Sequence, residues 1–117
     1  MKKIYATLLC FSIFAFSYKT EYSTTGKASY YANRFEGRKT SSGEIFKHTL
    51  LTAAHKSLKF GTYVKVTNLK NDSIVIVKIN DRLPQKSSRL IDLTLKAAKQ
   101  LNFIKSGLTD VKIESIR

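Results

Sequence analysis

Few side chains in this sequence can carry acid–base chemistry, because only 8 of its 117 residues are Asp or Glu. Three of these carboxylates stand out by their neighbours. Glu44 follows Gly43, where a flexible backbone can present it to a ligand. Asp81 stands between an apolar run and Arg82, and Asp92 lies inside a short apolar stretch. A carboxyl group can donate a proton in one step and accept one in the next, so each is a candidate acid–base group.

Each of the three carboxylates also has a structural interpretation, and the sequence leaves these alternatives open. Glu44 could be a solvated carboxylate in a loop. Asp81 could act as the acid itself, or Arg82 could hold it in an ion pair that lowers its pKa and makes it a poor proton donor. Asp92 is expected to anchor backbone amides rather than to take part in chemistry.

The composition restricts the class of protein. A single cysteine cannot form a disulfide within the chain. One cysteine and two histidines do not fill a four-ligand zinc site, so we expect no metal and no other cofactor. The length is that of one domain, and an apolar fraction of 43% can build a core despite a formal net charge of +13.

The first 17 residues are typical of a secretory signal peptide. Two lysines precede an apolar run over residues 4–16, which is too short to span a bilayer core of roughly 30 Å. Ala15 and Ser17 then supply small residues at the positions that signal peptidase reads. We therefore expect an exported protein with no membrane span after cleavage. Lipid anchoring through Cys10 is not expected, because the apolar run continues past it.

Export changes the interpretation of the positive charge. An exported protein rarely meets nucleic acid, so a nucleic-acid-binding domain is disfavoured. An acidic polymer of the cell envelope, such as peptidoglycan with its lactyl and peptide carboxylates, is the more suitable partner. The charge could also serve only solubility.

Short strands must position the candidate residues. After a polar tether over residues 18–26, apolar alternation predicts strands at 28–32, 62–68, 73–80, 89–93 and 110–116. The 73–80 run is β-branched almost throughout, which predicts a strand buried on both faces. Asn71 and Asp72 before it predict a hairpin turn. The segment between the first two strands, 33–61, has the length and composition of a functional loop.

One helix is expected over about residues 94–102. Thr94 can cap its N-terminus, and Leu95, Ala98 and Leu101 recur along one side. Short strands with one helix predict a small β-barrel.

Seven short segments carry a resemblance to a known family. They are residues 26–31 (Gly-Lys-Ala-Ser-Tyr-Tyr), 37–44, 51–55, 61–68, 80–84, 91–94 and 97–98. In this order and spacing the chain resembles the RlpA (rare lipoprotein A) family of septal lytic transglycosylases. The resemblance covers residues 26–117.

The resemblance implies a mainly β fold, a six-stranded double-psi β-barrel with one short helix, in a domain over residues 27–117. It also implies an activity: cleavage of the β-1,4 bond between N-acetylmuramic acid and N-acetylglucosamine without water, which leaves a 1,6-anhydro sugar end. The partner would then be the glycan strands of peptidoglycan. We expect the protein to act on them as a monomer.

The resemblance also implies functional residues. The catalytic pair of the family falls on Glu44 and His55, with Glu44 as the acid–base group and His55 orienting it or sharing its proton. His55 could instead be an imidazole satisfied by a backbone carbonyl. Asp81 is the third catalytic candidate. The candidates for substrate binding are Tyr31, Thr52 and Arg82, where Tyr31 could stack on a sugar ring.

One departure from the family pattern supports an alternative function. The usual Asp-Arg-Gly-Pro reads Asp-Arg-Leu-Pro here, so a bend normally made by glycine must accommodate Leu83. The alternative is an expansin-like module that binds glycan without cleaving it. A hydrolase is a third possibility, and it would need two groove carboxylates roughly 5 to 10 Å apart.

Overall fold

The computed structural model describes residues 22–116, which form a closed barrel of six strands. The strands lie around the barrel in the order β1-β5-β2-β4-β3-β6, and helix α1 follows β5. The elements are β1 (Ser23–Tyr30), β2 (Thr52–His55), β3 (Tyr63–Asn68), β4 (Ile74–Arg82), β5 (Ile91–Leu93), α1 (Leu95–Gln100) and β6 (Thr109–Ile116). The predicted fold class, a six-stranded double-psi β-barrel with one short helix, is confirmed. The predicted signal peptide lies outside the described residues.

Two parallel pairings shape the barrel. Strand β1 runs parallel to β5 and β2 runs parallel to β4, whereas the other neighbours are antiparallel. Parallel neighbours need long connections, and in both pairs other strands lie between the partners along the chain. The antiparallel hairpin of β3 and β4 turns at Asp72, whose φ of 62° is left-handed. This agrees with the turn predicted at Asn71 and Asp72.

Strand β1 begins earlier than the sequence indicates. Residues 23–28 pair with residues 109–114 of β6, so residues 23–26 belong to the barrel and not to a tether. The polar composition of this stretch hides the strand, because most of its side chains face outward. Gly26 permits a close approach, since a Cβ there would lie 2.8 Å from the Cβ of Leu90.

Strand β4 is buried on one face only. Val75, Val77 and Ile79 point into the core, but Ile74 is 50% exposed and Ile76 is 46% exposed. The prediction of burial on both faces is therefore wrong. A strand of a closed barrel has a single inward face, and its outer face is buried only where another segment crosses it.

The segment 33–61 is more structured than the predicted loop. It contains a 3₁₀ turn at Asn33–Phe35, a bridge between Lys39 and Ile45, and strand β2. All four residues of β2 are buried. The strand carries no apolar alternation that sequence reasoning could detect, because its outer face is buried as well as its inner face.

Helix α1 forms as predicted, although it is shorter. The Oγ1 of Thr94 accepts a hydrogen bond from the N–H of Ala97 at 3.3 Å, and Ala97, Ala98 and Leu101 are fully buried. The core cluster joins these residues to the inward side chains of the strands. Among residues 22–116, no helix is long and apolar enough to cross a membrane.

Candidate active site

Four strands bring one row of side chains across a groove of about 520 Å³. Ser29 on β1 lies opposite Asp92 on β5, Asp92 lies opposite Ala54 on β2, and Ala54 lies opposite Asp81 on β4. All four residues line the groove. Neighbouring strands are about 4.8 Å apart, so the Cα atoms of the two aspartates are separated by roughly 9 to 10 Å across the small Ala54.

A β-bulge turns Asp81 toward this groove. Ala53 pairs with Ile79, but the next residue of β2, Ala54, pairs with Asp81, so Asn80 is an extra residue in β4. Ile79 points into the core. In a regular strand the residue two positions later would point the same way, and the extra residue reverses that direction for Asp81.

The carboxylate of Asp81 accepts three hydrogen bonds. The Tyr31 hydroxyl donates to Oδ2 at 2.6 Å, and the backbone N–H groups of Ser41 and Arg82 donate to Oδ1 at 2.8 and 2.9 Å. Burial by itself would raise the pKa of Asp81, but these hydrogen bonds outweigh it and hold the pKa below its ordinary value. Burial, followed by the hydrogen bond to Asp81, raises the pKa of Tyr31. Asp81 is therefore ionised in the free protein.

The ion pair between Asp81 and Arg82, one of the two alternatives that the sequence left open, does not form. The Nη1 of Arg82 donates instead to the carbonyl oxygens of His55 and Asp81, at 3.3 and 3.4 Å. Its guanidinium lies over the Phe60 ring, 4.1 Å from the centroid. Arg82 also lines the groove, as expected for a residue that contacts substrate.

Asp92 binds side chains rather than the backbone amides that were predicted for it. The Ser29 hydroxyl donates to Oδ1 at 2.6 Å. The Arg89 guanidinium donates through Nε and Nη2 to the two carboxylate oxygens, at 2.6 and 3.0 Å. A bidentate pair of this kind fixes the plane of the carboxylate. The groove thus holds a second, well-oriented carboxylate, as the hydrolase alternative requires.

Glu44 does not line this groove, but it binds two residues of β4, the strand that carries Asp81. Its Oε2 accepts from Lys78 at 2.9 Å and its Oε1 accepts from the side-chain amide of Asn80 at 3.0 Å. The hydrogen bond from Lys78, followed by that from Asn80, lowers the pKa of Glu44. The side chain is 47% exposed. Glu44 is therefore an ionised, solvated carboxylate, bound to the residue that precedes Asp81 in β4.

His55 is 2% exposed and serves the turn that follows β2. Its Nδ1 accepts from the backbone N–H groups of Ser57 and Leu58 at 3.1 and 3.0 Å, so the ring proton resides on Nε2. Burial lowers the pKa of His55, and the charges of Arg82 and Lys56 lower it further. The partners of Nδ1 are backbone amides, not the carbonyl that the structural interpretation had supposed.

The predicted pair of Glu44 and His55 is not brought together by any shared contact. Glu44 binds two residues of β4, whereas Nε2 of His55 faces the Tyr22 hydroxyl at 3.5 Å. His55 lines a separate cavity of about 350 Å³.

The remaining predictions concern Tyr31, Thr52 and Leu83, of which Tyr31 and Leu83 line the groove and Thr52 does not. Tyr31 lines the groove, and its ring packs on Phe46 with the centroids 4.2 Å apart. Thr52 is buried beside Lys78 of β4 and lies outside the groove lining, so it offers a sugar little surface. Leu83 is buried at the groove without positive φ, so its bend needs no glycine.

Sequence reasoning missed several residues that hold the site. Ser29, Ser41 and Asn80 each lie within a segment of the resemblance, and this was the available signal. Lys78 and Arg89 had no such signal, because an exposed basic residue is common in this chain. Within residues 22–116, no three His, Cys, Asp or Glu side chains are grouped closely enough to hold a metal ion.

Comparison with known families and proteins relates this barrel to proteins of the bacterial cell wall. The chain matches the model of the lytic transglycolase family over residues 23–113. It is 50% identical over 96 residues to the endolytic peptidoglycan transglycosylase RlpA of Neisseria meningitidis serogroup A, covering 82% of this chain and 40% of that protein. It is 46% identical over 108 residues to the RlpA of Pasteurella multocida, covering 86% and 37%. The chain thus spans about 40% of the length of these curated relatives.

Solved structures share the fold at low sequence identity. The Streptomyces papain inhibitor is 20% identical with a TM-score of 0.68, over 84% of this chain and 97% of that one. The apo expansin of Clavibacter michiganensis is 20% identical with a TM-score of 0.62, over 82% and 51%.

Proposed function

The chain belongs to the lytic transglycolase family, and we propose that it cleaves peptidoglycan glycan strands endolytically. The bond broken is the β-1,4 linkage between N-acetylmuramic acid and N-acetylglucosamine, and the product carries a 1,6-anhydro end. The observation that carries this proposal is the groove carboxylate of Asp81, which lies against Tyr31 and Ser41 on a bulged strand. The RlpA relatives, named as endolytic peptidoglycan transglycosylases, support the substrate.

Asp81 is the acid–base group in this proposal. A sugar that fills the groove displaces water from the carboxylate, which raises its pKa toward that of a proton donor. The protonated carboxyl then donates to the glycosidic oxygen as the bond to C1 breaks. The resulting carboxylate takes the proton of the 6-hydroxyl of the same sugar, while that oxygen bonds to C1. Water takes no part, so the proton returns to Asp81 at the end of the cycle.

Glu44 has a different role from the one expected for it. Because Lys78 and Asn80 keep it ionised, it is a poor proton donor. A fixed negative charge beside the groove suits the stabilisation of the positive charge that develops at C1. The substrate-binding candidates are Tyr31 and Arg82, which line the groove.

The setting of this activity is the cell envelope, where peptidoglycan lies. The apparent export signal over residues 1–17 and the positive charge of the chain support that location. We propose that the protein acts as a monomer without a lipid anchor at Cys10. Light scattering of the purified protein tests the monomer.

The decisive experiment is mass spectrometry of sugars that the purified protein releases from peptidoglycan. Products that end in 1,6-anhydro-N-acetylmuramic acid are expected. Reducing ends would instead assign the groove to a hydrolase that uses its two carboxylates, Asp81 and Asp92.

Glycan binding without cleavage is the second candidate function. The low pKa of Asp81 in the free protein favours it, since a module that only binds needs no proton donor. A protein that sediments with peptidoglycan but releases no sugar would establish this function and contradict the transglycosylase.

A further inference from the structure

A second cavity adjoins the groove on the side of strand β1. Its volume is about 350 Å³, and Arg89 lines both the cavity and the groove. Gly26 and Leu90, which approach each other closely, form part of its wall. A ligand bound in the groove can therefore extend a substituent past Arg89 into this cavity.

The cavity is lined by hydrogen-bond donors. Lys56 contributes positive charge, and Ser57 and Ser88 contribute hydroxyl groups. The Arg89 guanidinium is paired with Asp92, and the Gln85 amide donates to the carbonyl oxygen of Lys56. No Asp or Glu is among the described residues that line it. The Nζ of Lys56 donates to the carbonyl of Ser87 at 2.5 Å, which leaves two of its three protons for a ligand.

His55 adds a donor of fixed direction. The two backbone amides on Nδ1 make that nitrogen an acceptor, so Nε2 must carry the proton. Nε2 faces the Tyr22 hydroxyl at the long distance of 3.5 Å, and both residues line the cavity. A buried imidazole whose N–H is weakly used is a suitable partner for an anionic oxygen.

We propose that the cavity around His55, Lys56 and Arg89 binds a carboxylate carried by the glycan substrate. This inference rests on the proposed function and deepens it. Two sources have this chemistry: the lactyl carboxylate of N-acetylmuramic acid, when no peptide is attached, and the terminal carboxylate of an attached peptide. His55 would then contact the substrate rather than act on the proton of Glu44.

The test measures binding of small ligands, not cleavage. Backbone amide NMR shifts of the purified protein are followed during titration with N-acetylmuramic acid, its methyl ester, N-acetylglucosamine and muramyl dipeptide. We expect the acid to bind at least about fivefold more tightly than the ester, the worth of one hydrogen bond to a charged group at a partly exposed site. The shifts should include Gly26, Ser57 and Leu90. Muramyl dipeptide distinguishes the sources, because its carboxylate lies on the peptide.

A pair of lysine variants provides the matched control. Lys56→Gln should remove the preference for the acid over the ester. Lys59→Gln makes the same change of charge three residues away, at an exposed side chain outside the cavity, and should leave the preference intact. Equal binding of acid and ester by the wild type, together with no tighter binding of muramyl dipeptide, would overturn the proposal, as would a Lys56→Gln variant that keeps the preference.

Two histidine variants separate binding from folding. In His55→Asn the amide oxygen can replace Nδ1 as acceptor for the turn, but the N–H of Nε2 is lost. In His55→Gln the longer side chain reaches toward the cavity, but the turn loses its acceptor. We expect His55→Asn to lose the preference for the acid while it melts close to the wild type. A stable His55→Asn variant that keeps the preference would contradict the role of His55.

The outcomes also separate this inference from the proposed function. Release of 1,6-anhydro sugars without carboxylate binding in the cavity would leave the transglycosylase intact and reject the inference. Carboxylate binding without any release would support the inference for a protein that only binds glycan.

Discussion

Asp81 belongs to strand β4 and Glu44 binds two other residues of the same strand, yet the environments of the two carboxylates differ. Asp81 is half-buried in the groove and accepts from a tyrosine hydroxyl and two backbone amides. Glu44 is about half exposed and pairs with Lys78. The partners of Asp81 are neutral, whereas Glu44 has a full positive charge against it.

This contrast shows which carboxylate a substrate can convert into an acid. A sugar in the groove removes water from Asp81 and adds no positive charge, so the pKa of Asp81 can rise on binding. Lys78 continues to hold Glu44 ionised whether or not substrate is present. We therefore propose proton transfer for Asp81 and charge stabilisation for Glu44.

The largest effect is expected for Asp81→Asn. The amide keeps the shape of the side chain but cannot transfer a proton, so the rate of glycan cleavage should fall by about 10³- to 10⁴-fold. Release of anhydro sugars and sedimentation with peptidoglycan should be measured together, because binding should persist. A rate within tenfold of the wild type would remove Asp81 from the acid–base role.

Glu44→Gln should cost less, about a hundredfold, as expected when one electrostatic contact to the transition state is lost. The same release assay gives the rate. If this variant is less active than Asp81→Asn, the two carboxylates exchange roles and Glu44 becomes the acid–base group.

Tyr31→Phe sharpens the contrast from the side of the groove. The ring can still pack on Phe46, but Asp81 loses a hydrogen bond of 2.6 Å that lowers its pKa. With a higher pKa, Asp81 keeps the proton that it must donate up to a higher pH. We therefore expect the alkaline limb of the pH–rate profile to move to higher pH, and the rate at neutral pH to rise by up to about tenfold. An unchanged alkaline limb would show that Asp81 does not control it.

His55 predicts a pH dependence of stability. Its pKa lies below the ordinary value of 6.5, so the folded protein binds fewer protons at this site than the unfolded chain. Its contribution to the free energy of unfolding is therefore present above about pH 6.5 and is lost as the pH falls through the lower folded value. Urea unfolding between pH 5 and 8 should show this slope in the wild type and a reduced slope in His55→Asn. Equal slopes would contradict the assignment.

The smallest effect is expected for Lys78→Met. The ion pair is half exposed, so its removal should change the free energy of unfolding by no more than about 0.5 kcal/mol. The pKa of Glu44 should rise, because its largest lowering contact is lost. Carboxyl NMR titration measures this directly. A large loss of stability would mean that Lys78 also supports the loop around Glu44.

Much of the barrel could be predicted from local patterns. Val64 and Val66 alternate and are buried, Thr94 caps its helix, and Asp72 turns a hairpin. Strand β2 could not be predicted, because it is stabilised by pairing with β4 and β5, which lie far from it in the sequence. The resemblance to RlpA proteins supplied the site residues that periodicity could not.

The sequence indicated which residue types could serve a site, but not how their side chains are arranged. Asp81, Tyr31 and Arg82 all line the groove, whereas Thr52 lies outside its lining and His55 lines a different cavity. These differences arise from packing. Residue type limits the chemistry that a side chain can carry out, but its hydrogen-bond partners in the fold determine which groups remain available for a ligand.

The sequence by itself determined the family, the mainly β fold and the small set of carboxylates available for chemistry, because these depend on residue types and their order. Only the tertiary structure decided how the carboxylates are used. One extra residue in β4 turns Asp81 outward, and strand register then sets Asp92 across Ala54 from it. A bulge is a property of two paired strands, so no local pattern in one of them reveals it.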